Sequence, residues 1–390
     1  MNSTRVLAVC IRKIPSALVG VIGPLNELHE QGIIQFQFKD HASLTNEDLA
    51  AADVVVSIRG SEQFDLELVR ESKRLNKLVI YYLDDDLLNI TEKSLSYEYF
   101  QSASIRSIIQ EIMHASDRLW TTSDVIADRY KAFFSSIVLV NAPALLLDND
   151  KRIEESNNDR IVIGFAGGLD HQYFFDEFME KPIRRIIQDY GGRVRFQFVG
   201  ARPKLVDELN LDYIPYEHNH AVYKNLMHQL KWDIGLAPLP YSMFHSCKYF
   251  NKYLEYGAIG AAGIYSNVKP YTRVITNGIN GILVDNTENS WIEAMKSLIE
   301  QASIRNSIRQ NAYDHISSHF SKKSVAMDIY QKNKDIFFYQ SDICKPNQVK
   351  LRRSRNFFLW NKIRSIVKIH GFKTPIHILN RIKLYIKNKY

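Results

Sequence analysis

The sequence predicts an α/β protein made of two doubly wound domains, and three observations lead there. Short β-branched and aromatic runs alternate with longer stretches of helical period along most of the chain, the pattern of parallel sheets covered by helices on both faces. These runs fall into two series, separated by residues 148–160 (DNDKRIEESNNDR), a charged stretch almost free of apolar residues, as a linker should be. The chain has 390 residues, 45% hydrophobic and 24% charged, enough for two domains of ordinary size with sizeable cores.

In the first series strands are expected at residues 6–11, 33–38, 54–58, 78–83, 119–122 and 138–140. In the second they are expected at 161–166, 193–199, 233–237, 263–266 and 281–284. Helices are expected between them at 64–75, 105–115, 176–190, 221–230 and 291–301. The domain spans are therefore 1–150 and 158–342, followed by a tail at 345–390. Ligands of open α/β sheets bind outside the carboxyl ends of the strands, so the expected site lies in a cleft between the domains.

Composition narrows the function. Cys10, Cys247 and Cys344 are odd in number and widely spaced, with no paired Cys/His spacing. That argues against a disulfide framework or structural zinc and for a reducing, cytoplasmic setting. The opening MNSTRVLAVCIRK reads as a first strand rather than a signal peptide, and no stretch reaches the roughly 18 apolar residues of a spanning helix. The net charge is +7, but residues 345–390 hold 13 Lys and Arg and no Asp or Glu, which leaves the body mildly acidic. Nucleic acid is not an expected partner, because the body offers no basic groove.

Residues 232–285 carry the most chemistry. A strand, DIGLA, leads to a loop with Pro238 and Pro240; Ser246 then reads as the N-cap of a helix over 247–256, before Gly257. On such a helix Lys248, Lys252 and Glu255 stand at i, i+4 and i+7 and share one face. Two lysines early in a helix oppose its dipole unless an anion sits there. With the helix N–H groups they would hold a diphosphate, and Glu255 could accept hydrogen bonds from ribose hydroxyls. An exposed Lys/Lys/Glu face is the plainer reading of the same spacing.

The order of these features resembles the carboxy-terminal domain of GT-B glycosyltransferases, specifically the retaining, family 4-like group of bacterial polysaccharide and O-antigen biosynthesis. The matching elements are DIGLAPL, KYLEYGAIGAAGIYS, the NGINGILVDN turn and strand, and WIEAMKSLIEQASIRNSIRQNA. IVIGFAGGLDHQYF is similar to the group's first strand and glycine loop in that domain, and VIYYLDDDLL and ASDRLWTTSDVIADRY resemble its first half. The resemblance implies two Rossmann-like domains facing across a cleft. It also implies transfer of a hexosyl unit from a nucleoside-diphosphate sugar to a hydroxyl of a glycan or lipid-linked acceptor, with retention and without a metal or other cofactor.

Roles follow only for matching positions. Glu255 matches the glutamate that binds the donor ribose, and Lys248 and Lys252 lie where the group has basic residues near the donor phosphates. Gly167 and Gly168 match the glycine loop that lets backbone approach the donor. His171 stands where relatives carry polar or basic residues; an ordinary loop histidine is the plainer reading. The group often has a second glutamate eight positions before the first-named one, near the transferred sugar, and here that position is Cys247. Two alternatives stay open: a same-fold sugar-nucleotide epimerase or hydrolase, and a binding protein that has lost turnover.

Three further features complete the reading. Asp84-Asp85-Asp86 after an apolar strand could hold a metal and a nucleotide diphosphate. More simply it caps a strand-end loop, with Asp84 or Asp85 facing acceptor or sugar in the cleft. Gly20 and Gly23 (LVGVIGPL) are expected in a glycine loop after the first strand, on the acceptor side, where a simple βα turn explains them nearly as well. In the tail, Phe357, Trp360, Ile363 and Val367 form one stripe of a basic amphipathic helix. This suits an anionic membrane surface on the cytoplasmic side, or docking on the protein itself.

Overall fold

The structure is a computed structural model and describes residues 3–147, 159–342 and 344–351. The expected amphipathic helix of the tail and most of the 148–160 stretch lie outside these residues. Six parallel strands form the first sheet: β1 (Arg5–Cys10), β2 (Gln35–Asp40), β3 (Val54–Ile58), β4 (Leu78–Leu83), β5 (Arg118–Thr121) and β6 (Ser136–Leu139), in the order β2-β1-β3-β4-β5-β6. Another six form the second: β7 (Ile161–Gly167), β8 (Val194–Gly200), β9 (Asp212–Ile214), β10 (Ile234–Ala237), β11 (Ala262–Ser266) and β12 (Ile282–Val284), in the order β12-β11-β10-β7-β8-β9. Every residue of β3, β4, β10 and β11 is buried, as strands covered on both faces must be. The expected strands all form, each within two residues of its expected bounds. β9 was not expected: it is a half-buried edge strand of three residues, too short to show a period.

The strand order of the second sheet reverses between β7 and β10, the switch point where ligands bind such sheets. Beside it a row of glycines crosses the sheet in register: Gly164 on β7, Gly235 on β10 and Gly263 on β11. An added Cβ would stand 2.0 Å from Trp232 at Gly164, 2.5 Å from Tyr256 at Gly235 and 2.0 Å from the Tyr265 hydroxyl at Gly263. The three buried rings therefore lie directly on backbone. Tyr256 also donates to Leu236 O at 2.6 Å. It belongs to the helix Asn251–Ala258, so the row fixes how close that helix, with Glu255 on it, approaches the sheet.

Two features of the first domain differ from simple expectation. Pro15–Ala17, Leu18–Ile22 and Gly23–Glu30 run on from one another as helix, with Pro15 at the start and a π turn in the middle. Gly20 and Gly23 are thus helical, not parts of a loop. The reason lies in packing: at Gly20 a Cβ would stand 1.8 Å from the Tyr82 hydroxyl, so a glycine lets the helix lie against β4. Later, from Lys322, the chain returns to the first domain. Val325, Ala326, Ile329, Ile336 and Phe337 join the core formed by Val6, Val54 and Ile80, and Val349 and Leu351 join Leu7 and Leu49 on the other face.

Candidate functional site

The carboxyl ends of both sheets open onto one cavity of about 400 Å³. The first domain lines it with the helix start at Pro15 and Ser16, with Gly20, Tyr82, Asp84 and Asp85. The second contributes Gly167, Gly168, His171, Lys248, Lys252 and Glu255. Of the binding and catalytic candidates read from the sequence, only Gly23 does not line this cavity.

The helix expected over 247–256 is interrupted. Ser242, not Ser246, is the N-cap, its Oγ accepting from His245 N at 3.2 Å, and a short helix Met243–Ser246 ends before Cys247. A second helix, Asn251–Ala258, starts after Phe250. Lys248 therefore lies in the connection, and only Lys252 and Glu255 share a helix. Tertiary contacts account for the break. Cys247 is fully buried with Leu66, Leu83 and Ile126 of the first domain. Tyr249 packs on Phe250, with centroids 4.0 Å apart, and its hydroxyl accepts from Ala142 N at 3.0 Å. Cys247 draws the connecting backbone toward the first domain while Tyr249 ties it to the segment that joins the domains, and together these contacts outweigh local helical preference.

Two charge clusters face the cavity. In one, Lys252 Nζ meets Glu255 Oε2 at 2.7 Å, and the Tyr223 hydroxyl donates to the same oxygen at 3.3 Å. In the other, Lys248 Nζ crosses the cleft to Asp85 Oδ1 at 2.6 Å, while Arg59 reaches Asp85 Oδ2 at 2.7 Å and Asp84 Oδ1 at 3.4 Å. Burial raises the Asp84 carboxyl above the usual carboxylate range. Burial pushes Asp85 the same way, but Lys248 and Arg59 outweigh it and hold that carboxyl below its ordinary value. The two neighbouring carboxyls are thus shifted in opposite directions. Asp86 turns away from the cavity. It is buried, accepts from Asn89 at 2.9 Å and pairs with Arg129 at 3.3 Å, anchoring its own loop. Asp86 thus parts from Asp84 and Asp85, and the described residues hold no cluster of three or more His, Cys, Asp or Glu placed around a metal position.

His171 stands just beyond the glycine turn, and a Cβ at Gly167 would lie 2.8 Å from its Nδ1. Burial, followed by the charges of Lys252 and Lys248, pushes its pKa down to about 3, so the imidazole is neutral at neutral pH. It can offer a hydrogen bond without adding charge. Gly168 has open space where a side chain would be, which leaves room for a ligand against the backbone. The Cys247 thiol, pushed up to about 12 by burial, with Asp86 adding to the effect, is unsuited to nucleophilic work.

Sequence reasoning missed part of this site. Arg59, immediately after β3, has a left-handed backbone, φ 51°, and contacts both aspartates; an arginine before a glycine at a strand end was its only local trace. Tyr216, His218, His220 and Tyr223 line the cavity beyond Glu255, from the loop and helix after β9. Their strand was itself too short to read.

No family model matches the chain, and no curated protein does. Solved structures do. A glycosyltransferase from Rickettsia africae ESF-5 superposes with a TM-score of 0.58 at 12% identity, covering 87% of this chain and 100% of its own. Anabaena HepE in complex with UDP-glucose gives 0.59 at 13% identity, covering 85% and 99%. Sucrose-phosphate synthase from Thermosynechococcus elongatus gives 0.57 at 12% identity, covering 86% and 99%. These likenesses span nearly the whole of both domains, and the chain has the GT-B fold.

Proposed function

We propose, on the premise of this GT-B fold, that the chain is a glycosyltransferase that moves a sugar from a nucleoside-diphosphate donor to an acceptor hydroxyl. The observation that carries the reading is the cavity between the domains. It brings together, at the switch point of the second sheet, a backbone-lined glycine turn, two lysines, and a carboxylate held for hydrogen bonding. HepE was solved with UDP-glucose, which makes UDP sugars the first donors to try.

In this reading Glu255 accepts hydrogen bonds from the ribose hydroxyls, with Tyr223 and Lys252 fixing its carboxylate. Tyr216 and His220, further along the same wall, take the nucleobase. Lys252 and Lys248 offset the charge that develops on the departing diphosphate, and no metal is needed for that step. The sugar then lies toward Asp84, Asp85 and the neutral His171. Cys247 faces away from the cavity and supplies no carboxylate, so Asp85, reaching in from the other domain, is the ionised oxygen available to the sugar or the incoming hydroxyl. Retention of configuration, a hexosyl unit and a glycan or lipid-linked acceptor complete the proposal, with the basic tail holding the protein at an anionic membrane. No helix of the described residues is long and apolar enough to cross one.

The test is consumption of radiolabelled UDP, GDP and dTDP sugars with and without an acceptor extract. Label appearing in a larger glycan or lipid product only when acceptor is present supports transfer. Turnover of donor alone points to an epimerase or hydrolase, and donor binding with no turnover in any extract points to a binding protein.

A further inference from the structure

A second chamber, of about 240 Å³, adjoins the donor cavity and shares Asp85, His171 and Lys248 with it as a common wall. Its outer side comes from the 90–96 loop of the first domain and its floor from the second, so both domains build it. The lining has a distinct character. Thr91, Ser94 and Ser96 bring hydroxyls, and Tyr173, Phe174 and Phe244 bring aromatic surface. The Ser94 and Ser96 hydroxyls lie 3.1 Å apart, and Asp170 accepts from Ser94 at 3.3 Å.

His245 is buried in the wall. Its Nδ1 lies 2.7 Å from Ser242 Oγ and its Nε2 lies 3.3 Å from the Tyr173 hydroxyl. Burial, helped by Lys248, pushes its pKa down to about 4, so it is uncharged at neutral pH, as is His171. The cations Arg59 and Lys248 are already matched by Asp84 and Asp85, and Lys248 Nζ also lies 4.4 Å from the centre of the Phe244 ring. A further buried anion would find no unmatched cation here, would face Asp170 as well as Asp85, and would bear the full cost of leaving water. Hydroxyls, neutral imidazoles and ring faces instead suit a ligand with many hydroxyls and flat apolar faces.

We propose that this chamber binds one uncharged pyranose unit of the acceptor and presents its hydroxyl to Asp85 through the shared wall. The proposal rests on the glycosyltransferase reading and names the acceptor's class: a neutral sugar, whose remaining chain leaves past the exposed Leu95. A lipid tail or an acidic sugar does not fit inside.

Saturation-transfer NMR on the full chain tests this with methyl glucosides, galactosides and mannosides as probes, and with glucuronate as the charged control. At least one methyl pyranoside should give signal, and glucuronate should bind at least 10-fold more weakly. Ser94→Trp, on the outer loop, should abolish the signal while UDP still binds. Gly168→Trp, in the donor cavity, should do the reverse. His245→Phe, which keeps the bulk and removes the polar nitrogens, should weaken the sugar by 10-fold or more while UDP still binds. The inference is overturned if no methyl pyranoside gives signal, if glucuronate binds as well, or if the signal survives Ser94→Trp and disappears in Gly168→Trp. Failure of UDP to bind any of the proteins would instead remove the donor reading, leaving a sugar signal that responds to Ser94→Trp as evidence for the chamber alone.

Discussion

Lys248 pairs its charge with Asp85 across the cleft, and a donor diphosphate must compete for it. The sign of the effect follows. Asp85→Asn frees the ammonium and should tighten UDP binding by about 3- to 10-fold, on the order of 1 kcal/mol for a partly exposed pair, while transfer falls. Calorimetric titration at low salt reads the first and a transfer assay the second; weaker UDP binding would mean that Lys248 does not face the diphosphate. The histidines give a pH test. Above pH ~6.5 His245 is neutral in both folded and unfolded chains; below it the unfolded chain takes a proton that the folded site, at about 4, refuses. Stability is therefore lost as pH falls from 6.5 toward 4, and His245→Gln should remove about 1 kcal/mol of that loss at pH 5.5. Melts of both proteins at pH 7 and 5.5 check it, and equal slopes would contradict it.

Among the elements, the strands were readable because buried parallel strands are short runs of β-branched and aromatic residues with turn signals at each end. The helix at 247–256 was misread because its sequence pattern is helical, while Cys247 and Lys248 answer to the other domain and Tyr249 to Ala142 in the segment between them. Such contacts lie more than 100 residues away in sequence for all three, so no local window shows them. The glycine row is the reverse case. Gly164, Gly235 and Gly263 were visible as letters, but their register and the rings upon them appear only in the folded sheet. Gly235→Ala should force Tyr256 off the strand, lower stability by about 1–3 kcal/mol and weaken UDP binding through the displaced Glu255. Denaturant melts and UDP titration measure the two effects; stability within a few tenths of a kcal/mol of the parent protein would show that the ring is free to move.

Across the whole molecule, two sheets and a cleft were legible, because alternating strands and helices broken once by a polar stretch admit few arrangements. Glu255, Lys252 and the Gly167–Gly168 turn were legible because each sits within one element. Arg59 was not, since it joins Lys248 at Asp85 only when the domains meet, and the β9 wall was not, since its strand is too short to show a period. The central claim is that this joint cavity holds a nucleoside diphosphate, and a thermal-shift panel of UDP, GDP and dTDP sugars tests it most directly. At about 100-fold over its dissociation constant, one base should stabilise the protein by ~2.7 kcal/mol, and Glu255→Gln with Lys252→Ala should remove most of that shift. No shift with any of the three, or an undiminished shift in the double variant, would contradict the account.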